Sequence, residues 1–414
     1  MANTLNLGNG NWATKEDSLL AYNSENGNFK PLPFDFTRAS SATVVNKAGL
    51  IETVGSGEPR IDFSNDAKGA LLLEPTRTNK VPYSEAFDNA YWIKADATVV
   101  GGYSAPDGSN NAFKLIEGTS NSQHSVRSGF IATTNGSEIA SSIFVKADTR
   151  SVVTFQESAY TGVYLTIDLI SETITTNVTS ANLTKLANGW FRIDIVSTCN
   201  VVTSWKVMPS LNGTTTYQGD GTSGIYIWGF QLEDNVSYAT SYIPNFGNSA
   251  GATRSADACT GAGNDQVINS TEGVLYAEIS ALDNDGTSRY IAMTDNTGSN
   301  EIIIQYNSTA NRIGAYMYIN GTGYVSNLGY VVTDVTDFHK VAFKWAVNDF
   351  SLWIDGVERA TDISGATFVP NVLTRLDFGA GPNGGSLSFY GNTKDVKLYN
   401  TALTDSELTA LTKI

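Results

Sequence analysis

The sequence has few of the residues that catalytic and metal centres most often use. Its 414 residues include two cysteines, Cys199 and Cys259, and two histidines, His124 and His339. Two cysteines cannot build a disulfide framework, and together with two histidines they match no standard zinc spacing. A Ser/His/Asp or Cys/His arrangement needs a histidine that acts as a base. Because His124 lies in a polar Ser/Asn/Gln stretch, we expect it on the surface rather than in a catalytic site.

Positive charge is scarce as well. The chain carries 26 Lys and Arg against 41 Asp and Glu, a net charge of −15, and no basic cluster is longer than a pair. Nucleic-acid binding needs a concentrated basic surface, so this class of partner is excluded. The charged fraction of 16% leaves room for Gly, Asn, Ser and Thr, which are typical of strands joined by tight turns. An acidic surface rich in hydroxyl and amide groups is compatible with neutral polymers such as glycans.

Long hydrophobic runs are also missing. No apolar stretch approaches the ~20 residues that a transmembrane helix needs, and the first residues show neither the basic nor the apolar region of a signal peptide. We therefore expect synthesis in a cytoplasm, without Sec export or membrane insertion. The composition nevertheless looks extracellular, and a virion protein released by lysis satisfies both observations.

Strand patterns dominate the chain, and they predict an all-β fold in four segments. Residues 1–80 hold many turn residues and only short apolar pieces, so we expect this segment to pack against a partner, either another copy or a particle. Residues 81–247 and 266–414 are rich in alternating or apolar strands, and each predicts a jelly-roll or β-sandwich domain. The small, glycine-rich residues between them, 248–265, are predicted to be a linker.

Two local patterns refine this prediction. Residues 225–232 are apolar at both alternating sets of positions, which predicts a central strand buried between two layers. Thr404 and Glu407 have capping-box spacing, which predicts one short helix at the C-terminus.

The order of three motifs in the last segment, at 337–345, 350–357 and 395–408, resembles the laminin-G-like or concanavalin-A-like family. The match covers roughly residues 266–414. The resemblance implies a two-sheet sandwich, does not specify a ligand, and implies that His339 is structural.

Motifs further upstream resemble structural proteins of tailed bacteriophages. Those at 37–43, 59–63 and 71–79 lead into 83–87 and introduce a carbohydrate-binding-module-like jelly roll, and those at 226–233, 239–244 and 252–257 resemble the end of that module. The resemblance implies a virion protein on the surface of a phage head or tail, either a fibre or a capsid-decoration subunit. It also implies that residues 1–80 contact other virion proteins and that the protein is a homotrimer, the usual state of such fibres.

Two tyrosine pairs are the candidate glycan-binding residues. Alternation in 312–319 puts Tyr316 and Tyr318 on the face opposite the apolar residues, and Tyr164 is placed similarly, with Tyr160 in the adjacent turn. Tyrosine rings on the non-core face of a strand are suitable sugar platforms. The alternative is that these rings cover a second layer or a subunit contact.

We expect no enzyme activity, no cofactor and no metal. Glycoside hydrolysis needs only two carboxylates, but no acidic pair stands out and the long β-helix usual in phage depolymerases is missing. Oxygen-rich residues 283–286 allow calcium, but an Asp-Gly hairpin turn is favoured. The sequence thus predicts adhesive display for host or surface attachment. A purely structural subunit and a capsule-depolymerising glycosidase remain the alternatives.

Overall fold

The computed structural model describes residues 2–15, 17–29, 33–157, 164–199, 201–321 and 324–414. These residues form an all-β protein with one short α-helix, α1 (Asp405–Thr412), which confirms the predicted fold class. Within the described ranges, no helix has the length and apolarity needed to cross a membrane. In chain order the strands are β1 (Leu5–Gly8), β2 (Thr14–Lys15), β3 (Ser18–Leu19), β4 (Phe34–Thr37), β5 (Ala42–Val45), β6 (Ile51–Val54), β7 (Ile61–Asp62), β8 (Ala70–Leu73), β9 (Arg77–Asn79), β10 (Ile93–Ala95), β11 (Ala97–Tyr103), β12 (Ala112–Glu117), β13 (Asn121–Gln123), β14 (Ser125–Arg127), β15 (Ile131–Ala132), β16 (Glu138–Ala147), β17 (Val152–Glu157), β18 (Tyr164–Asp168), β19 (Thr173–Thr176), β20 (Ser180–Lys185), β21 (Trp190–Thr198), β22 (Val202–Thr203), β23 (Trp205–Ser210), β24 (Thr216–Gln218), β25 (Gly224–Asp234), β26 (Ala252–Arg254), β27 (Ala258–Thr260), β28 (Gly273–Ala281), β29 (Arg289–Thr294), β30 (Glu301–Tyr306), β31 (Arg312–Tyr318), β32 (Tyr324–Val331), β33 (His339–Ala346), β34 (Asp349–Ile354), β35 (Val357–Asp362), β36 (Arg375–Asp377) and β37 (Gly391–Tyr399).

The chain forms two compact units whose bounds differ from the predicted segments. Unit 1 combines Met1–Ser41, Val54–Pro75 and Ser255–Ile414, and unit 2 combines Ala42–Thr53 with Thr76–Arg254. Residues 1–80 are therefore divided between the units. β1 and β8 belong to unit 1 because they hydrogen-bond to β37, and β4 belongs to it because it pairs with β27. Residues 248–265, expected to be a linker, contain β26, which forms a two-stranded sheet with β9 in unit 2, and β27, which pairs with β4 at the edge of a sheet in unit 1.

Unit 1 is an antiparallel sandwich of two large sheets. The first has the order β35-β34-β33-β28-β37-β8-β7, with β1 also paired to β37, and the second has the order β32-β31-β30-β29-β36. Their inner faces share one core, to which Phe343 and Val396 contribute from the first sheet and Ile302 and Ile313 from the second. Alternation along these strands leaves the opposite side chains on the outer faces.

Helix α1 packs on the outer face of the first sheet of unit 1. Leu408 of the helix is buried with Tyr276 and Trp353 of the sheet. The predicted capping box is confirmed, since the Glu407 carboxylate accepts hydrogen bonds from the Thr404 backbone N–H at 2.9 Å and hydroxyl at 2.8 Å.

A buried charge cluster joins the separate chain segments of unit 1. Asp257 accepts a hydrogen bond from Arg38 Nη1 at 3.0 Å and contacts Arg60 Nη2, and Arg60 Nη1 lies 2.6 Å from Glu74 Oε2. Each of these four side chains is at most 3% exposed. All four come from the upstream motifs, so the structure gives those motifs a shared structural role.

Unit 2 is a second antiparallel sandwich. One sheet has the order β10-β14-β23-β17-β18-β19 and the other the order β11-β12-β25-β16-β21-β20, with the main core between them. The prediction for residues 225–232 is confirmed: Ile225 and Ile227 of β25 face the main core, whereas Trp228 belongs to a second cluster. The hairpin β5–β6 adds Val45 and Ile51 to that cluster.

Candidate functional site

The tyrosines predicted in the last segment lie on the outer face of the five-stranded sheet of unit 1. Tyr316 and Tyr318 form a small cluster there with Ala292, Ile303 and Ala380, opposite the main core. Tyr316 is 6% exposed, so its ring supports the cluster rather than offering a free face. Tyr290 packs edge-on against Tyr316 with ring centroids 6.0 Å apart. Tyr290 and Tyr318 are half-buried and border the remaining accessible surface.

Two buried carboxyl groups lie on the same outer face. Glu301, directly opposite Tyr318 in the sheet, accepts a hydrogen bond from the Gly381 backbone N–H at 2.9 Å. Asp377 is held by the Arg375 guanidinium at 2.7–3.1 Å and by the Gly261 backbone N–H at 2.7 Å. Burial raises the pKa of both Glu301 and Asp377. These hydrogen bonds give both groups a structural role in holding loops over the sheet.

Tyr164 lies on the outer face of the first sheet of unit 2, where it ends a cross-strand row. Tyr164 is opposite Gln156, Gln156 is opposite Lys206, Lys206 is opposite Arg127, and Arg127 is opposite Ile93. Directly opposite residues of antiparallel strands project from the same face. Tyr164 is 42% exposed, and the three polar side chains beside it are half-buried. Tyr160 lies outside the described residues.

We call the four residues Arg127, Lys206, Gln156 and Tyr164 the polar row. Hydroxyl groups flank the polar row on the same face of the sheet. Thr154 Oγ1 lies 3.0 Å from Thr166 Oγ1 and 2.7 Å from Ser210 Oγ. Gln123 accepts a hydrogen bond from Lys206 Nζ at 3.1 Å. The face therefore combines the exposed Tyr164 ring with amides, hydroxyls and two cations, and the Arg127 guanidinium lies 5.3 Å from the centroid of the exposed Phe130 ring.

Sequence reasoning found Tyr164 but missed its neighbours Arg127, Gln156 and Lys206. Alternation alone places Gln156 and Lys206 opposite the core-facing residues of their own strands. The pairing of β14, β23, β17 and β18, which joins the residues into one row, depends on long-range strand register.

The expected surface position of His124 is wrong, because this side chain is fully buried. Its Nδ1 lies 2.8 Å from the Asp96 carbonyl oxygen, and its Nε2 lies 3.2 Å from the Tyr217 carbonyl oxygen. The ring also packs edge-on against Tyr217, with ring centroids 4.8 Å apart. Burial is tolerated since local backbone groups satisfy both ring nitrogens.

His339 joins two turns of unit 1. Its Nδ1 lies 2.6 Å from Asp355 Oδ2, and its Nε2 lies 2.9 Å from the Asp334 carbonyl oxygen. Burial opposes protonation, but the hydrogen bonds to Asp355 and to the Asp334 carbonyl outweigh it and raise the pKa of His339. Both nitrogens are engaged in structural contacts.

This arrangement predicts a pH-dependent contribution to stability. A raised pKa in the folded state stabilises fully below the unfolded-state value of about 6.5, and the contribution is lost as pH rises through the folded-state value. The free energy of unfolding should therefore fall above about pH 6.5 more steeply in the unmodified protein than in His339→Gln. Urea denaturation between about pH 5.5 and 8.5 measures this difference, and parallel pH profiles would contradict it.

Residues 283–286 lie in the irregular connection from β28 in one sheet of unit 1 to β29 in the other, so the expected hairpin turn is wrong. β29 pairs with β30 instead. Asp285 Oδ2 lies 2.7 Å from Arg289 Nη2, so its charge is used within this connection. In the part of the chain that the structure describes, no three His, Cys, Asp or Glu residues are grouped to hold a metal ion.

Unit 1 also contains a surface cavity of about 390 Å³ near its N-terminus. Tyr22 and Phe29 line it, 37% and 54% exposed, with their ring centroids 5.2 Å apart. Its other lining residues are Asn6, Gly8, Asn11, Leu20 and Ser24. The cavity therefore combines exposed aromatic rings with amide groups within residues 1–80.

Comparisons with known proteins agree with a lectin-like sandwich in unit 1. Residues 263–409, just over a third of the chain, match a laminin-G-type family described as the "Concanavalin A-like lectin/glucanases superfamily". This match supports the resemblance inferred from the three motifs of the last segment. No curated protein sequence matches the chain.

Solved structures with some similarity come from several organisms. The carbohydrate-binding module CBM40 of the Ruminococcus gnavus IT-sialidase, bound to alpha2,3 sialyllactose, is 18% identical with a TM-score of 0.32, over 37% of this chain and 94% of that chain. The Limulus polyphemus SAP-like pentraxin is 12% identical with a TM-score of 0.27, over 34% and 70%. The Pyrococcus furiosus endo-beta-1,3-glucanase is 14% identical with a TM-score of 0.26, over 37% and 70%. All three TM-scores are below 0.5, so these similarities carry no argument about function.

Proposed function

We propose that this protein is a non-catalytic carbohydrate-binding protein displayed on the surface of a bacteriophage particle, where it attaches the particle to host or environmental polysaccharide. The observation that carries the binding function is the outer sheet face of unit 2 that bears the polar row. There, Tyr164 offers an exposed ring beside the Gln156 amide and the half-buried Thr166, whose hydroxyl is held by the buried Thr154.

This combination fits the chemistry of a sugar. A tyrosine ring covers the apolar face of a pyranose, while amide and hydroxyl groups exchange hydrogen bonds with its hydroxyls. The sheet fixes the spacing of these groups, so little ordering is needed when a ligand binds. The lectin-family match and the half-buried Tyr290 and Tyr318 make unit 1 a second candidate carbohydrate-binding module.

Glycan binding is tested with the full chain on an array of bacterial polysaccharides. Tyr164→Ala should lower the affinity for the best ligand about fivefold to tenfold, since stacking contributes ~1 kcal/mol or slightly more. Tyr330→Ala, which removes another exposed tyrosine in unit 1, is the control and should leave that affinity unchanged. An array without any bound glycan would favour the purely structural alternative.

The same ligand distinguishes binding from hydrolysis. Incubation with the protein should release no new reducing ends. Release of reducing ends that Glu301→Gln abolishes would identify a glycosidase and contradict the non-catalytic proposal.

The proposal of a virion location is supported by the upstream motifs, which resemble those of tailed-phage structural proteins. Within it, residues 1–80 contact capsid or tail proteins, the exposed Tyr22 and Phe29 contribute to that contact, and the subunits form a homotrimer. Antibody labelling of purified particles should place the protein on the head or the tail. Its absence from purified particles would contradict this part of the proposal.

A further inference from the structure

Two cations lie directly opposite each other in the polar row of unit 2. Arg127 of β14 pairs in register with Lys206 of β23. The contacts of Arg127 Nη1 are the Ser128 carbonyl oxygen and the Ser204 hydroxyl, both at 3.4 Å, and Lys206 Nζ donates to Gln123 Oε1 at 3.1 Å. Among the described residues, no carboxylate forms an ion pair with either cation. Within unit 2, the undescribed residues are 158–163 and 200, and their sequence contains no Asp or Glu.

Several other cations of unit 2 do have a counter-charge. Lys80, Lys114 and Arg150 each lie 2.6 Å from a carboxylate oxygen. Like charges directly opposite each other on a sheet are destabilising. Burial and the charge of Arg127 both lower the pKa of Lys206. The pair thus carries an unfavourable interaction that an anion would relieve.

The nearest acidic residues along the paired strands do not neutralise the pair. Glu157 follows Gln156 but projects from the other side of the sheet, where it is 4% exposed and accepts hydrogen bonds from the Thr203 hydroxyl and the Ser204 backbone N–H. Asp168 lies at the far end of β18, where its carboxylate accepts the Ile170 backbone N–H.

The cations are within reach of the tyrosine that carries the proposed function. Lys206 and Tyr164 are two strands apart in one row, and strands are spaced about 4.8 Å, so about 10 Å separates their backbones. The Gln156 amide lies between them. A single oligosaccharide can therefore contact the ring, the amide and the cations together.

We propose that Arg127 and Lys206 form an anion subsite and that the ligand of this face is a saccharide that carries a carboxylate. A planar carboxylate matches the donor fork of arginine, and hydrogen bonds between charged groups are the stronger ones. This inference rests on the proposed function and names the chemical class of its ligand.

The test measures binding of uronic-acid oligosaccharides and their methyl esters to the full chain by calorimetry. The ester keeps the sugar rings and removes only the charge. The acid form of the best ligand should bind at least about tenfold more tightly than its ester. Arg127→Gln and Lys206→Gln should each abolish this preference without lowering the melting temperature, because each removes one of two repelling charges.

Lys185→Gln is the matched control, since it removes one cation of unit 2 that is already paired with Glu172 and is 65% exposed. It should keep the preference for the acid. Equal binding of acid and ester, still lowered by Tyr164→Ala, would overturn this inference alone. Absence of any saccharide binding would overturn the proposed function as well. A sulfated oligosaccharide that binds as tightly through the same two cations would overturn the carboxylate assignment.

Discussion

Asp257→Asn is expected to lower the free energy of unfolding of unit 1 by about 3–5 kcal/mol. Asp257 contacts both Arg38 and Arg60, and these three side chains are fully buried. Burial opposes the charge of Arg60, but Glu74 and Asp257 outweigh it and raise its pKa. Without the Asp257 charge, Arg60 would keep its ion pair with Glu74, but Arg38 would lose its 3.0 Å ion pair with Asp257. Removing one partner of a buried pair leaves an uncompensated charge.

The loss should appear in urea or thermal denaturation. Asp66→Asn is the matched control, because it removes a carboxylate of the same unit that pairs with Lys394 at a partly exposed site. A partly exposed pair contributes ~1 kcal/mol or less. A loss at Asp257 no larger than the loss at Asp66 would show that the buried cluster does not hold the segments of unit 1 together.

Trp228→Ala is expected to lower the free energy of unfolding of unit 2 by about 3–5 kcal/mol. Trp228 is 2% exposed and packs against Phe144 and Tyr242, with ring centroids 5.2 Å and 4.9 Å away. Its indole N–H also donates to Asn111 Oδ1 at 2.7 Å. The substitution would leave a cavity under the hairpin β5–β6, which contributes Val45 and Ile51 to the same cluster.

Phe130→Ala is the control, since this aromatic side chain of the same unit is 66% exposed. It should change stability by no more than ~1 kcal/mol, since its contact with the Arg127 guanidinium is at an exposed site. Hydrogen exchange should also show faster exchange in residues 42–53 of the Trp228→Ala variant than in the unmodified protein. Unchanged exchange there would mean that the hairpin is held by contacts other than this cluster.

Local patterns in the sequence were sufficient to predict the secondary structure and several positions in the core. The all-β class followed from composition and alternation, and Thr404 and Glu407 predicted α1. The two apolar faces of 225–232 predicted a strand between two layers. Each of these features depends on residues close together in the chain, where periodicity and capping act directly.

The division of the chain into two units could not be predicted from local periodicity and capping patterns. β1 and β8 pair with β37, more than 300 residues away, and Asp257 meets Arg38 and Arg60 from a segment that reads as a polar linker. A polar sequence does not reveal that its charges are buried, because burial depends on partners that only folding supplies. His124 was misplaced for the same reason.

In the candidate site, too, some features followed from local sequence patterns and others only from the tertiary structure. Alternation determined that Tyr164, Tyr316 and Tyr318 lie on non-core faces, because the direction of a side chain is a local property of a strand. Only the tertiary structure decided that Tyr316 is covered while Tyr164 stays exposed. It alone placed Arg127 opposite Lys206, since register between strands far apart in sequence is set by the packing of the whole core.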